Sequence, residues 1–230
     1  MHAEPPEFLR TTRSSYDAIA DDYADRFGDG LAGLPLERSL LTAFAELART
    51  PGRAAAGGAP PPVADLGCGP GHVTALVHRL GLPVFGVDLS PRMVSLAREA
   101  HPELRFHVGS MTALDLPAGT LGGIVALDSI THVPDDHLAD VLAEFHRVLM
   151  PGAPVLLAFE SGDEDGGLHL DERFGRPVSL DYHWRSPSTV VAHLTKAGLE
   201  LTAQVLREPT GDEKRPHALL LARRPKTARA

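Results

Sequence analysis

The stretch Val63-Ala64-Asp65-Leu66-Gly67-Cys68-Gly69-Pro70-Gly71 sets three glycines at alternate positions directly after a short apolar run. Glycine turns the backbone tightly and, lacking a Cβ, lets a ligand approach the main chain. About 20 residues further on, Asp88 ends a second apolar run and precedes Ser90-Pro91, a helix cap followed by a first-turn proline. A carboxylate at that spacing can accept hydrogen bonds from both ribose hydroxyls of an adenosine-containing ligand. The chemistry predicted is that of a nucleoside cradle.

Two cofactor classes fit such a cradle, and the order of the glycines bears on the choice. Dinucleotide folds carry Gly-x-Gly-x-x-Gly, with a pyrophosphate at the helix N-terminus. Here the order is Gly67-x-Gly69-x-Gly71, preceded by Asp65 inside the strand. A carboxylate there repels a pyrophosphate and attracts an ammonium or sulfonium, so a cationic cofactor is favoured over a nicotinamide dinucleotide.

Two histidines stand where a general base could act, since imidazole titrates near neutrality. His132 ends Leu127-Asp128-Ser129-Ile130-Thr131-His132, just past a predicted strand. His183 lies in Tyr182-His183-Trp184-Arg185, whose aromatic rings and cation would suit a planar or anionic molecule. A satisfied structural histidine is the competing account of His132, and a loop anchored by one aromatic that of His183. Glu160, Ser161 and Asp163 offer a polar or acidic contact, with a solvated turn as the alternative. No histidine pair has the helical spacing and carboxylate of a zinc enzyme, so no metal is expected.

The elements that must position these groups follow from periodicity. Helical spacing predicts helices over Ser14 to Phe27, capped by Ser14 or Ser15, and over Leu34 to Ala48, with Pro35 in its first turn. The Gly-, Ala- and Pro-rich segment Thr50 to Pro62 reads as a loop. Strands are then expected at 63–66, 83–87, 104–108, 123–127 and 153–159, with helices at 71–80, 91–100, 135–149 and 187–197. Two closing strands, near 199–206 and 217–222, have no helix between them and suit an antiparallel edge. Alternation with short connections implies an α/β, doubly wound parallel sheet. Residues 1–62 are read as a helical lead-in with its linker, and 63–230 as the core. The polar, glycine-containing stretch 160–186 is read as an irregular substrate loop on the ligand side of the sheet.

At four ordered places the sequence resembles class I S-adenosylmethionine-dependent methyltransferases. They are Asp65 to Gly71, Gly86 to Met93, Phe106 to Met111, and Leu142 to Gly152 leading into Pro154 to Phe159; the likeness spans roughly Tyr16 to Arg224. The resemblance implies a Rossmann-like, seven-stranded, mostly parallel sheet with a reversed last strand, and S-adenosylmethionine as cofactor with S-adenosylhomocysteine as product. It also implies roles for residues. Asp65, Gly67, Cys68 and Gly69 would meet the methionine portion and Asp88 the ribose. Leu89 and Met93 would flank adenine, with Ser110 and Met111 at its polar edge. Leu127 would lie beside the sulfonium, and Tyr16 and Tyr23 would close over the cofactor. Plain core packing is the alternative for the two methionines. The reaction implied is methyl transfer to oxygen or nitrogen of a small-molecule acceptor, with specialised metabolism as the expected setting.

Composition narrows the alternatives. The formal charge is −8 with Lys and Arg scattered, so no basic stripe exists to neutralise a phosphate backbone, and nucleic acid is not an expected partner. The lone Cys68 and the polar, proline-containing start favour a reducing, cytoplasmic setting without a signal peptide, and no apolar run suits a membrane. A nicotinamide-dependent oxidoreductase and a non-catalytic protein retaining the pocket stay open as alternatives. So does the oligomeric state, a homodimer included.

Overall fold

The computed structural model describes residues 4–28, 31–49 and 60–226. Most of the linker expected over Thr50 to Pro62 lies outside them.

Seven strands form the main sheet in the order β3 (Arg105–Val108), β2 (Val84–Asp88), β1 (Val63–Leu66), β4 (Gly123–Leu127), β5 (Pro154–Glu160), β9 (His217–Arg223) and β8 (Glu200–Arg207). The first five are mutually parallel, and β9 runs antiparallel to both its neighbours. The apolar runs of β1, β4 and β5 are buried almost throughout, as a parallel sheet covered on both faces requires. One covering layer holds α5 (Asp135–Val148) and α6 (Pro187–Lys196), with Leu138, Leu142, Phe145, Val190 and Leu194 in the main core. Opposite them, Leu41, Phe44 and Ala45 of α2 (Pro35–Ala48) and Val77 of α3 (His72–Arg79) pack on Val63, Val125 and Leu156. Chain order reverses between β1 and β4, and in such sheets that switch point, at the carboxyl ends of the strands, is where ligands sit.

Two expectations need correction. The first helix, α1, spans Glu7–Phe27, beginning seven residues before Ser14, with Pro6 and no serine at its cap. Leu9 and Thr12 extend its buried stripe of Ser15, Ile19 and Ala20, so packing carries the helix back past the serines. Ser15 serves elsewhere: its Oγ accepts from Ser179 N at 2.9 Å and lies 3.1 Å from the Ser179 carbonyl oxygen.

The second concerns residues 160–186, which are no irregular loop. They form a β-hairpin, β6 (Gly166–Arg173) and β7 (Arg176–Trp184), as a separate two-stranded sheet. Its mixed polar sequence lacks an apolar alternation because only Leu180 of β7 is fully buried. At its tip Phe174 and Gly175 both have positive φ (54° and 73°), the left-handed pair that a two-residue hairpin turn demands. Arg176 pairs with Asp22, and Phe174 packs on Phe27 with ring centroids 6.4 Å apart, so α1 and the hairpin form one roof. On its other side α1 is tied to α4 (Pro91–Ala100): Asp17 accepts from the Ser90 hydroxyl and Arg92 N, and Asp21 pairs with Arg92.

Among the described residues no helix is long and apolar enough to cross a membrane.

Candidate active site

The glycine turn leaves β1 with Gly67, Gly69 and Gly71 all at positive φ (76°, 50° and 93°), where a side chain is strained. They are used differently. A Cβ on Gly67 would stand 2.3 Å from the Ser129 Cβ, so the turn nests against the segment after β4. A Cβ on Gly69 would meet nothing within 4 Å. Gly69 N instead donates to Asp88 Oδ2 at 2.8 Å, while Ser90 N donates to Oδ1 at 2.8 Å. Burial raises the Asp88 pKa, and these two amides partly offset it. Each carboxylate oxygen keeps a lone pair for a further donor. Ser90 Oγ accepts from Met93 N, the cap expected from sequence.

Above this cradle, under α1, lies a cavity. Tyr16, Tyr23, Gly67, Gly69, Asp88, Leu89, Met93, Met111, Leu127 and His132 all line it, as do Phe8, Leu9, Thr12, Gly109, Thr112, Asp128, Ser129 and Val133. Met93 is 1% exposed and so serves core and wall together. Ser129 Oγ is buried without a hydrogen-bond partner.

Four of the residues expected to meet the cofactor or to act as base stay off the wall. Asp65, 2% exposed, accepts from Thr74 Oγ1 at 2.6 Å, and burial raises its pKa to about 7. Cys68 packs with Val94, Ala97 and Phe106. The Ser110 hydroxyl turns to Thr112, 2.8 Å from its Oγ1, and leaves Gly109, Met111 and Thr112 to face the cavity. His183 alternates with Tyr182 along β7, and alternation sends it to the opposite face of the hairpin, where its Nε2 is buried without a partner.

His132 sits in a short 3-10 helix, Ile130–His132, between β4 and α5. Its Nδ1 lies 2.8 Å from the carbonyl oxygen of Asp181 and its Nε2 lies 2.7 Å from the Tyr16 hydroxyl. A carbonyl can only accept, so Nδ1 carries the proton and the Nε2 lone pair accepts from Tyr16. Desolvation lowers the His132 pKa to about 4, and burial raises that of Tyr16. Both are neutral, and the imidazole turns its unprotonated Nε2 toward the roof.

Arg185 was expected to face an acceptor; instead it is 1% exposed and knots this turn. Its Nε donates to Asp135 Oδ1 at 2.7 Å, Nη1 to the Ile130 carbonyl at 3.2 Å, and Nη2 to the Val133 carbonyl. The wall residues missed from sequence had weak signals: Phe8, Leu9 and Thr12 continue the stripe of α1, and Asp128 and Ser129 follow β4 directly. Asp128 also has φ of 54°, uncommon for a residue with a side chain.

Comparison with known proteins bears on these features. Residues 63–152 match the methyltransferase domain family. A demethylmenaquinone methyltransferase of Chlorobaculum parvum is 30% identical over 141 residues, covering 61% of this chain and 56% of that protein. An N-demethylindolmycin N-methyltransferase of Streptomyces griseus is 29% identical over 188 residues, covering 70% and 78%. The chain thus spans just over half the length of the first of these relatives. Among solved structures, the Burkholderia thailandensis 1,6-didemethyltoxoflavin-N1-methyltransferase superposes with TM-score 0.72 at 22% identity, covering 98% of this chain and 92% of that one. The magnesium protoporphyrin IX methyltransferase of Synechocystis does so with TM-score 0.69 at 16% identity. In its sheet order, its glycine cradle and the segment 63–152 that matches a methyltransferase domain, the chain is similar to the class I S-adenosylmethionine-dependent methyltransferases.

Proposed function

We propose that the protein transfers a methyl group from S-adenosylmethionine to oxygen or nitrogen of a small-molecule acceptor. The observation that carries this reading is the Asp88 carboxylate, fixed by Gly69 N and Ser90 N at the edge of the cavity with a lone pair on each oxygen to spare. Those lone pairs suit a ribose diol, Leu89, Met93 and Met111 suit an adenine ring, and the unpartnered Ser129 hydroxyl offers a further polar contact. The acidic wall, Asp88 and Asp128 without Lys or Arg, suits a cation.

The cofactor supplies an electrophilic methyl on a sulfonium. What the chain itself does is orient and dehydrate. Roof and cradle hold two molecules in one enclosed space, which supplies much of the acceleration in a direct displacement. Tyr16 and Tyr23 close over the cradle, and Phe8, Leu9, Thr12 and Val133 give the acceptor end an apolar lining. His132 Nε2 is the atom that takes a proton from a hydroxyl or amine acceptor once Tyr16 yields its hydrogen bond. His183, off the cavity wall, has no part in that step. A cytoplasmic enzyme of specialised metabolism is consistent with the one unpaired thiol and with the Streptomyces relative's name.

Calorimetric titration with S-adenosylhomocysteine, beside a reduced nicotinamide dinucleotide, tests the reading. Saturable binding of the former alone is expected; binding of the dinucleotide alone would overturn it.

A further inference from the structure

Several arginines of the roof and its supports are matched to carboxylates, Arg176 to Asp22, Arg92 to Asp21 and Arg185 to Asp135, while Arg26 at the end of α1 lies over the Phe174 ring at 5.7 Å with no carboxylate within ion-pair distance among the described residues. Arg173, at the end of β6, is likewise unmatched, and it is the one of the two that also touches Tyr182. Among the described residues no carboxylate lies within ion-pair distance of it, and its one hydrogen bond runs from Nη1 to the Tyr182 hydroxyl. A guanidinium has five N–H donors. The remainder are neither hydrogen-bonded nor sealed from solvent.

The group is nevertheless held firmly. It stacks over the Phe174 ring at 5.1 Å and the Tyr182 ring at 5.4 Å, arrangements that fix a cation without neutralising it. Phe174 keeps a positive φ of 54° to stand there, a conformation costly for a bulky residue. Both rings lead back to the cavity wall. Tyr182 packs edge-on against His132 at 4.6 Å, and Phe174 meets Phe27, which lies 4.7 Å from Tyr23. Its charge is felt at three wall residues: burial raises the pKa of Tyr16 and Tyr23 and lowers that of His132, and the guanidinium offsets part of the first two shifts and adds to the third. The charged side chains of the cavity's own lining are Asp88 and Asp128, the latter 3.3 Å from His217 Nε2, so a carboxylate bound near that wall would need a cation beside it.

We propose that Arg173 is the anion anchor of the site, receiving a carboxylate of a bound molecule through its free guanidinium donors. The proposal rests on the methyltransferase reading and goes beyond it in naming a charge requirement and the residue that meets it. The carboxylate has two sources, the amino-acid end of the cofactor or the acceptor.

Arg173→Gln, which keeps amide donors and drops the charge, separates them by calorimetry, with thermal unfolding as the check that the variant is folded. S-Adenosylhomocysteine and 5′-methylthioadenosine, which lacks the amino-acid portion, are the first pair of probes. Benzoate and phenol, titrated into protein already loaded with S-adenosylhomocysteine, are the second. A loss of about tenfold or more in S-adenosylhomocysteine affinity with 5′-methylthioadenosine unchanged assigns Arg173 to the cofactor carboxylate. Unchanged S-adenosylhomocysteine binding, with benzoate binding to the loaded wild type and lost in the variant while phenol is unaffected, assigns it to the acceptor. A folded variant that binds S-adenosylhomocysteine as the wild type does, with no benzoate binding that depends on Arg173, overturns the proposal. Wild-type protein that binds neither nucleoside refutes the methyltransferase reading, and the proposal falls with it.

Discussion

The Tyr16 hydroxyl donates to Nε2 of His132 across 2.7 Å, joining the first helix to the turn that follows β4. Because Nδ1 is spent on the Asp181 carbonyl, this bond occupies the only lone pair the imidazole has. Protonation of His132 must break it.

That gives stability a pH signature. His132 has a folded pKa of about 4 against an ordinary 6.5, so between those values the unfolded chain holds the extra proton. Stability therefore rises with pH across that window, by at most about 1.4 kcal/mol per unit, and is flat above it. Asp65, raised to about 7, tilts the other way over much of the same range. The difference between wild type and His132→Asn isolates the histidine. Urea unfolding from pH 4 to 8 should show this difference growing up to pH 6.5 and then levelling; a constant difference would contradict the buried neutral imidazole.

Asp88→Ala should leave the fold intact, because the side chain is held by two backbone amides at the rim of the cavity and spans no packed layer. Affinity for S-adenosylhomocysteine should fall by about tenfold or more, the loss of charge-assisted hydrogen bonds. Asp88→Asn should fall between, since its amide keeps one acceptor. Unchanged binding in a folded Asp88→Ala protein removes the ribose assignment.

Arg185→Met removes the three bonds that tie the His132 turn to α5 and strands the Val133 carbonyl, while the Ile130 carbonyl keeps its bond from Val133 N. Asp135 is exposed and is left as a solvated charge, so the loss is that of a buried acceptor without its donor, about 1–3 kcal/mol. Denaturation midpoints read this directly, and a shift under 1 kcal/mol would mean that the turn holds without it.

Gly67→Ala and Gly69→Ala should part company. At Gly67 the new methyl meets Ser129 Cβ at 2.3 Å in a strained φ, so the loop must rearrange, with a penalty of about 2 kcal/mol or more. At Gly69 the methyl has open space and only the conformational cost, about 1 kcal/mol. Thermal scans of the two variants should differ accordingly, and equal losses would argue against the packing of Gly67 on Ser129.

Much of this was legible in the residues. The alternation of apolar runs and amphipathic stretches places all seven strands of the main sheet, and the glycine turn with Asp88 and Ser90 forms the cradle as spacing demands. The hairpin was not legible. Its strands expose most of both faces, so no period-2 pattern marks them, and its two-residue turn carries Phe174 where asparagine or glycine is the usual signal. Arg185 was misjudged for a related reason: nothing in Trp184-Arg185-Ser186 tells a buried knot from an exposed contact, because its partners lie about 50 residues away. The early start of α1 is hidden too, since Leu9 and Thr12 are buried only in the folded chain, where they line the cavity.

The hairpin begins and ends at one point. Arg185 N donates to the Glu160 carbonyl, and Ser161 pairs with Arg185, so the chain leaves the large sheet and rejoins it through adjacent residues. An element with so narrow a neck can change length, sequence or tip without shifting the register of any strand beneath it. Ser15 and Ser179, 164 positions apart in the chain, are where the first helix reads whatever shape that element takes. Diversification of ligand preference on this scaffold therefore runs through paired substitutions in those two distant segments, while the cradle below stays as it is.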